Sequence, residues 1–242
     1  MFGPQFVFLS LLLPAADPPR VTDNNFHGWI GYYGDHQIAG KWGVHLEAQL
    51  RRNDGFNRWQ QNFHRTALNY DFNKWLQVTG GYAWVKTYPY GEFPVRQAFD
   101  EHRIYQQLLI RQPLKRVRLQ HRARFEQRWL DVQQNLAQGP LPHASWRLQQ
   151  RFRWNTRIEV PLRGKYYLVF ADEILLNVPP NMPVRKLDQN RASVALGLQT
   201  AKTLRLEFGY LNQYLAQRNG RILESNHTLH ISIFSNLSFR RN

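Results

Sequence analysis

From about residue 25 to the C-terminus, the chain repeats runs of roughly ten to fourteen residues in which apolar and polar side chains alternate. Each run ends in a break rich in Pro, Gly, Asn or Asp. A period of two is typical of β-strands with one apolar and one polar face, and the runs suit a bilayer, which a tilted strand crosses in about 9–11 residues. The pattern predicts an all-β, up-and-down antiparallel transmembrane β-barrel.

Two successive runs show the alternation most clearly. In each, one face is mostly apolar and the other is polar and rich in arginine. In a soluble sandwich the apolar face would form the interior, whereas in a membrane barrel it faces lipid and the arginines line the lumen. Periodicity alone leaves both alternatives open. The apolar faces are Val117, Leu119, Ala123 and Phe125 (with His121 between them) and Leu148, Phe152, Trp154 and Ile158.

Eleven strands can be placed along the chain, and they form a single domain over residues 25–242. Bacterial single-chain barrels usually have an even strand number, so we expect about 12 strands (10–12), with one hidden in the N-terminal segment or in the assigned boundaries. The breaks alternate between short turns and mostly longer loops, as in bacterial barrels. The strands are placed at 26–37, 42–52, 58–70, 75–87, 100–112, 116–130, 145–160, 165–176, 187–199, 203–216 and 223–236.

Composition favours the membrane alternative. The mean hydropathy is −0.57, which a membrane barrel tolerates because only every second strand residue faces lipid. Several tryptophans fall near strand ends, as in the interfacial girdles of such barrels, although they could also pack the ends of a core. These residues are Trp42, Trp59, Trp75, Trp129 and Trp146.

The first sixteen residues resemble a secretory signal peptide. An apolar stretch from Phe6 to Leu13 precedes Pro14, Ala15 and Ala16, but no Lys or Arg comes before it. We therefore expect residues 1–16 to be a signal peptide with an incomplete n-region, or else a buried N-terminal strand. The absence of cysteine excludes thiol chemistry and Cys-ligated zinc.

Short landmarks in a fixed order resemble the bacterial family known as domain of unknown function 2490. The resemblance implies an outer-membrane β-barrel, often from Bacteroidetes-type bacteria, and implies no agreed activity. Outer-membrane barrels commonly end in an aromatic residue, whereas Phe239 is followed here by three further residues. The landmarks are Gly28 to Tyr32, Lys41-Trp42, Leu50 to Arg52, Gly80 to Trp84, Glu101 to Arg103, Arg122 to Arg128, Asp172-Glu173, Asp188 to Arg191, Gly209 to Gln213 and Asn226-His227.

The chain is strongly basic, with 32 Lys and Arg against 17 Asp and Glu. The basic residues follow the strand period and no nucleic-acid motif is present, so no nucleic-acid partner is expected. In a barrel they would point into the lumen and either pair with glutamates or leave a positive potential that favours anions. The expected lumen charges are Glu47, Arg51, Glu101, Arg103, Arg118, Arg122, Arg124, Glu126, Arg128, Arg147, Arg151, Arg153, Arg157, Glu173, Arg191, Arg205 and Glu207.

Few residues suggest catalysis. His230 and Ser232 have the spacing of the His and Ser in some outer-membrane lipid hydrolases, yet strand parity points both into the lumen, away from lipid. Asp172 and Glu173 are adjacent, so they face opposite ways, and Asp172 is expected at the rim of the barrel. The nine histidines lack metal-binding spacing, and we expect neither a metal site nor a cofactor.

The sequence therefore predicts a non-enzymatic bacterial outer-membrane protein, either structural or a narrow pore whose lumen favours anions. The expected partners are outer-membrane lipid, lipopolysaccharide and small anionic solutes. The alternatives are a lipid-modifying hydrolase of the outer membrane and a soluble basic β-protein that binds polyanions. The sequence does not specify the oligomeric state.

Overall fold

A computed structural model describes residues 20–131, 146–180, 182–183 and 185–240. These residues form a closed barrel of eleven strands. Among them is no helix long and apolar enough to span a membrane. The strands are β1 (Val21–Ala39), β2 (Trp42–Asn53), β3 (Arg58–Asp71), β4 (Leu76–Thr87), β5 (Phe99–Pro113), β6 (Arg118–Asp131), β7 (Trp146–Pro161), β8 (Tyr166–Val178), β9 (Leu187–Ala201), β10 (Leu204–Ala216) and β11 (Ile222–Ser235), and a 3-10 turn (Asp54–Phe56) follows β2.

The pairing of the first and last strands closes the barrel. Successive strands pair antiparallel, but β1 and β11 pair parallel, from Val21 beside Ile222 to Gly34 beside Ser235. An odd number of alternating strands places β1 and β11 in the same direction, so parallel pairing is the only way to close this sheet. All eleven strands mapped from the sequence are present, whereas the twelfth is absent from the described residues. The predicted signal peptide lies outside them.

The start of β1 is the one strand boundary that lies more than two residues from its sequence-based position. The strand begins at Val21 rather than at residue 26 because its first residues pair with β11. In this stretch the inward residues Asp23 and Asn25 are polar, and so are the outward residues Thr22 and Asn24. The alternation that marks the other strands is therefore missing here.

The connections differ in length at the two ends of the barrel. The short-turn end carries the connections at 40–41, 72–75, 114–117, 162–165 and 202–203, together with residues 236–240 after β11. Gly40 and Gly164 adopt positive φ angles of 51° and 71° in two of these turns, a conformation that favours glycine. The long-loop end carries 54–57, 88–98, 179–186 and 217–221. Residues 132–145, between β6 and β7 in the sequence, lie outside the described residues.

The faces of the sheet are inverted relative to a soluble barrel. Outward residues include many exposed large apolar side chains, such as Ile104 (48% exposed) and Phe208 (58%). Inward residues are mostly buried and polar or charged, and apolar contacts are confined to small inner clusters such as Phe63, Ala83 and Val85. Most of the interior is therefore held by hydrogen bonds and ion pairs.

Candidate functional site: an arginine-lined lumen

Strand parity directs all seventeen charged residues named from the sequence into the lumen. Most are buried, and Glu126 has no exposed surface. The structure adds further charged lumen residues to those predicted from the sequence, among them Arg65, Glu159 and Asp188. Arg65 and Glu159 share the inward parity of their strands, so the alternation alone could have identified them.

The largest ion-pair cluster lies between β6, β7, β8 and β9. Glu126 accepts hydrogen bonds from Arg151 and Arg153, each at 2.7 Å. Arg153 also donates to Glu173 at 2.7 Å, and Arg151 donates to Asp188 at 2.7 Å. We call this group the central cluster, and its members are Glu126, Glu173, Asp188, Arg122, Arg124, Arg151, Arg153 and Arg191.

Smaller clusters flank the central one. Glu101 binds Arg103 and Arg128, with the Arg103 Nε to Glu101 Oε1 distance at 2.6 Å. Glu47 pairs with Arg65 and contacts His45. Towards the short-turn end, Arg157 bridges two further carboxylates. The members of this third group are Glu159, Glu207, Arg118, Arg157 and Arg205.

Arginines outnumber carboxylates in these clusters. The four clusters together contain eleven arginines and seven carboxylates. A further arginine, Arg51, bonds the neutral amides of Gln49 and Gln61 and stacks on Trp29, with its guanidinium carbon 4.1 Å from the ring centroid. Buried charges are stable only when paired or stacked, and here part of the positive charge is held by rings and amides. The lumen is therefore electropositive.

A cavity of about 570 Å³ lies in the interior. Its wall extends from Asp35 and Arg111 near the short-turn end to Gln60 and Tyr90 near the long-loop end. Arginine exposure rises towards the short-turn end, where the Arg118 side chain is 57% exposed, whereas the Arg151 side chain in the central cluster is only 2% exposed. Water therefore reaches the arginines most easily from the short-turn end.

The 88–98 loop covers part of the mouth at the long-loop end. The loop follows β4 and contacts β11, where the Tyr90 hydroxyl donates a hydrogen bond to the Glu224 carboxylate at 2.8 Å. The ring of Tyr90 packs edge-on against His27, with 5.4 Å between ring centroids. Burial and the Glu224 carboxylate raise the pKa of Tyr90 well above its ordinary value, so the hydroxyl keeps its proton and donates. This loop narrows the lumen at that end.

The five tryptophans named from the sequence form two levels on the outer surface. Trp42 begins β2 and Trp75 immediately precedes β4, both at the short-turn end, and they are 49% and 52% exposed. Trp59, Trp129 and Trp146 lie at the long-loop end. Their amphipathic rings thus mark the two ends of the apolar band between them, as interfacial girdles do.

A polar row interrupts the apolar outer face. Asp172 was expected at the rim but lies in the middle of β8, pointing outward, and it accepts a hydrogen bond from Asn190 at 3.0 Å. Thr156 in β7 is the cross-strand partner of Asp172. His121 in β6 contacts Thr156, with 3.1 Å between Nδ1 and Oγ1. The prediction that Asp172 and Glu173 face opposite ways is confirmed, whereas the rim position is wrong because both residues lie halfway along the strand.

His230 and Ser232 both face the lumen, as their parity predicts. Their Nδ1 and Oγ atoms lie 3.3 Å apart, and both residues line the cavity. In a membrane barrel, lipid would pack against the opposite face of β11, and this pair would not reach a lipid substrate from the outer surface. No group of three or more His, Cys, Asp or Glu side chains within the described part of the chain is arranged to hold a metal ion.

Fold and lumen together define a class, a closed β-barrel with an apolar outside and a charged inside. The chain belongs to the family of proteins of unknown function called DUF2490, whose model matches residues 26–224. A solved structure titled "NanC porin structure in rhombohedral crystal form" is similar over 81% of this chain and 91% of that chain, with 13% identity and a TM-score of 0.47. Comparison with curated proteins gives no match.

Proposed function

We propose that this protein is a non-enzymatic bacterial outer-membrane barrel whose lumen is a narrow, anion-favouring pore. The observation that carries the proposal is the inverted distribution of side chains. Apolar residues such as Ile104 and Phe208 are exposed on the outside while charged residues such as Glu126 are buried inside. This is the arrangement that a bilayer stabilises.

A soluble location would expose this outer face to water. Soluble monomers rarely carry contiguous apolar patches larger than a few hundred Å². Here exposed apolar residues occur on every strand except β6, whose outward Leu119, Phe125 and Trp129 are half-buried. The strand lengths also suit a bilayer, since even the shortest strands, β2 and β4, have 12 residues against the about 9–11 that a crossing requires.

The bias towards anions follows from the charge of the wall. The clusters hold more arginines than carboxylates, and the side chains closest to the short-turn mouth include Arg111, Arg118 and Arg205. A confined electropositive passage raises the local concentration of anions and repels cations. The 88–98 loop, held by Tyr90, limits passage to small solutes.

Reversal-potential measurement on the full chain in a planar lipid bilayer tests the proposal. Under a KCl gradient across the bilayer, we expect small conductance steps and a reversal potential of the sign set by chloride. Increasing salt should weaken the selectivity, because the wall charges become screened. Cation selectivity, or a correctly folded barrel that conducts no ions, would contradict the proposed pore.

A further inference from the structure

We infer that the lumen contains a discrete binding site for a single oxyanion group, a carboxylate or a phosphate, on the inner wall between β3, β5 and β6. The site consists of Arg65, Tyr105, Arg122 and Arg124, which all line the cavity. This inference rests on the proposed function and specifies the class of anion that the lumen would bind.

The ring of Tyr105 organises the site. Two guanidinium groups lie over this ring, with the central carbon of Arg124 4.5 Å and that of Arg65 5.1 Å from the ring centroid. Arg122 lies two residues before Arg124 on the same face of β6. The three cations and the Tyr105 hydroxyl are thus grouped on one part of the wall.

Each member of the site has a buried hydrogen-bond donor without an acceptor among the described residues. These donors are Arg65 Nε, Tyr105 Oη, Arg122 Nε and Arg124 Nη1. Tyr105 is 1% exposed and Arg124 is 3% exposed, so solvent has little access to them. A buried unpaired donor is unfavourable, and an oxyanion supplies the acceptor lone pairs that these four donors lack.

The charge balance at Arg124 also favours an anion. Its Nε and Nη2 donate to the neutral Gln107, and its closest carboxylate, Glu126, is 3.8 Å away and already bonds Arg151 and Arg153. Arg153 is its cross-strand partner in β7. Arg124 therefore carries a positive charge among other positive charges, which one negative group would compensate.

Two substitutions separate binding from folding. Arg124→Gln removes a charge whose nearest carboxylate, Glu126, is shared with two other arginines, and it relieves the repulsion with Arg153, so we expect a barrel at least as stable as wild type. Tyr105→Phe removes only the hydroxyl. The matched control is Arg118→Gln, which removes one lumen charge at the exposed mouth, outside the site. This control separates a defined site from the general charge of the lumen.

The experiment is calorimetric titration of the folded full-length barrel, in an uncharged detergent, with acetate and with inorganic phosphate, each against chloride at equal ionic strength. Wild type should bind at least one of the two probes saturably. Arg124→Gln should weaken binding about tenfold or more, since it removes a charged hydrogen bond, and Tyr105→Phe should weaken it several-fold. Arg118→Gln should stay within about twofold, because it leaves the site intact.

The two probes distinguish a carboxylate ligand from a phosphate ligand. Binding of neither probe beyond chloride, or equal losses in Arg124→Gln and Arg118→Gln, would overturn the site. The titration does not require the barrel to conduct ions, so failure of the binding site can be distinguished from failure of the proposed pore. Saturable binding without conductance would reject the pore and keep the site, whereas anion-selective conductance without saturable binding would reject the site and keep the pore.

Discussion

Replacing Glu126 with Gln is the most informative perturbation of the interior. The carboxylate is fully buried and accepts three hydrogen bonds from Arg151 and Arg153, at 2.7–3.0 Å. The substitution keeps the side-chain shape but turns an amide donor towards guanidinium donors and leaves the cluster with one more uncompensated charge. Removing one partner from a buried ion pair costs about 3–5 kcal/mol.

We expect the lower end of that range, about 3 kcal/mol, because both arginines keep a second carboxylate. Arg151 still binds Asp188, and Arg153 still binds Glu173, each at 2.7 Å. The free energy of unfolding can be measured in detergent micelles from tryptophan emission as guanidinium is raised. The matched control is Asp71→Asn, which breaks a 3.3 Å pair with Arg111 near the surface and should change stability by less than about 1 kcal/mol.

The contrast between the two variants is what tests the reasoning. If Glu126→Gln changes the free energy of unfolding no more than Asp71→Asn does, then the central cluster is not the source of stability that its burial indicates. A loss of folding in both variants would show that the difference in burial between the two pairs has no energetic consequence.

Three further predictions concern other parts of the barrel. Gly81→Ala should lower stability by about 1–3 kcal/mol, because a new Cβ would lie 2.4 Å from Ala67, whereas Gly80→Ala meets open space and should be neutral in the same unfolding assay. Ile104→Arg on the outer face should cost about 2–4 kcal/mol in lipid vesicles, and no effect there would argue against burial in lipid. Tyr90→Phe removes the hydrogen bond to Glu224 and should speed tryptic cleavage after Arg96 in the 88–98 loop by about tenfold, and an unchanged rate would mean that this bond does not hold the loop.

The strand map could be predicted because each strand has one apolar and one polar face. The run from Arg118 to Asp131 shows this best, since its arginines follow the parity that the structure gives them. The inward orientation of charges such as Arg151 follows from the same parity. The start of β1 could not be predicted, because both faces of the strand are polar over residues 22–25.

The partners of the charged residues depend on register, which a single strand does not encode. Glu126 meets Arg151 because the two residues are directly opposite across β6 and β7. Asp188 reaches the lumen although its neighbours Gln189 and Arg191 define the opposite parity. A register shift at Leu175 and Leu176 of the paired strand β8 accompanies this change. Such irregularities change the face of the sheet to which a side chain points, and no pattern in the sequence predicts them.

The parallel closure depends on global topology rather than on local sequence. The even-number rule led to the expectation of a twelfth strand, whereas the register of β1 against β11 runs without a gap from Val21 to Gly34. Hydrogen bonding continues past β11, where the Phe239 backbone N–H donates to Gln37 at 2.9 Å. Pairing between the first and last strands is the longest-range contact of the fold, and periodicity within each strand says nothing about it.

The central claim is that this chain is a closed barrel embedded in a membrane. Gel mobility of the membrane-fraction protein in SDS, boiled against unboiled, tests it most directly, because a closed barrel held by a full ring of strand pairs resists SDS until it is heated. We expect recovery with the membrane fraction and a heat-dependent shift in mobility. Recovery without detergent and no shift on boiling would contradict this claim and would indicate a soluble, arginine-rich β-protein.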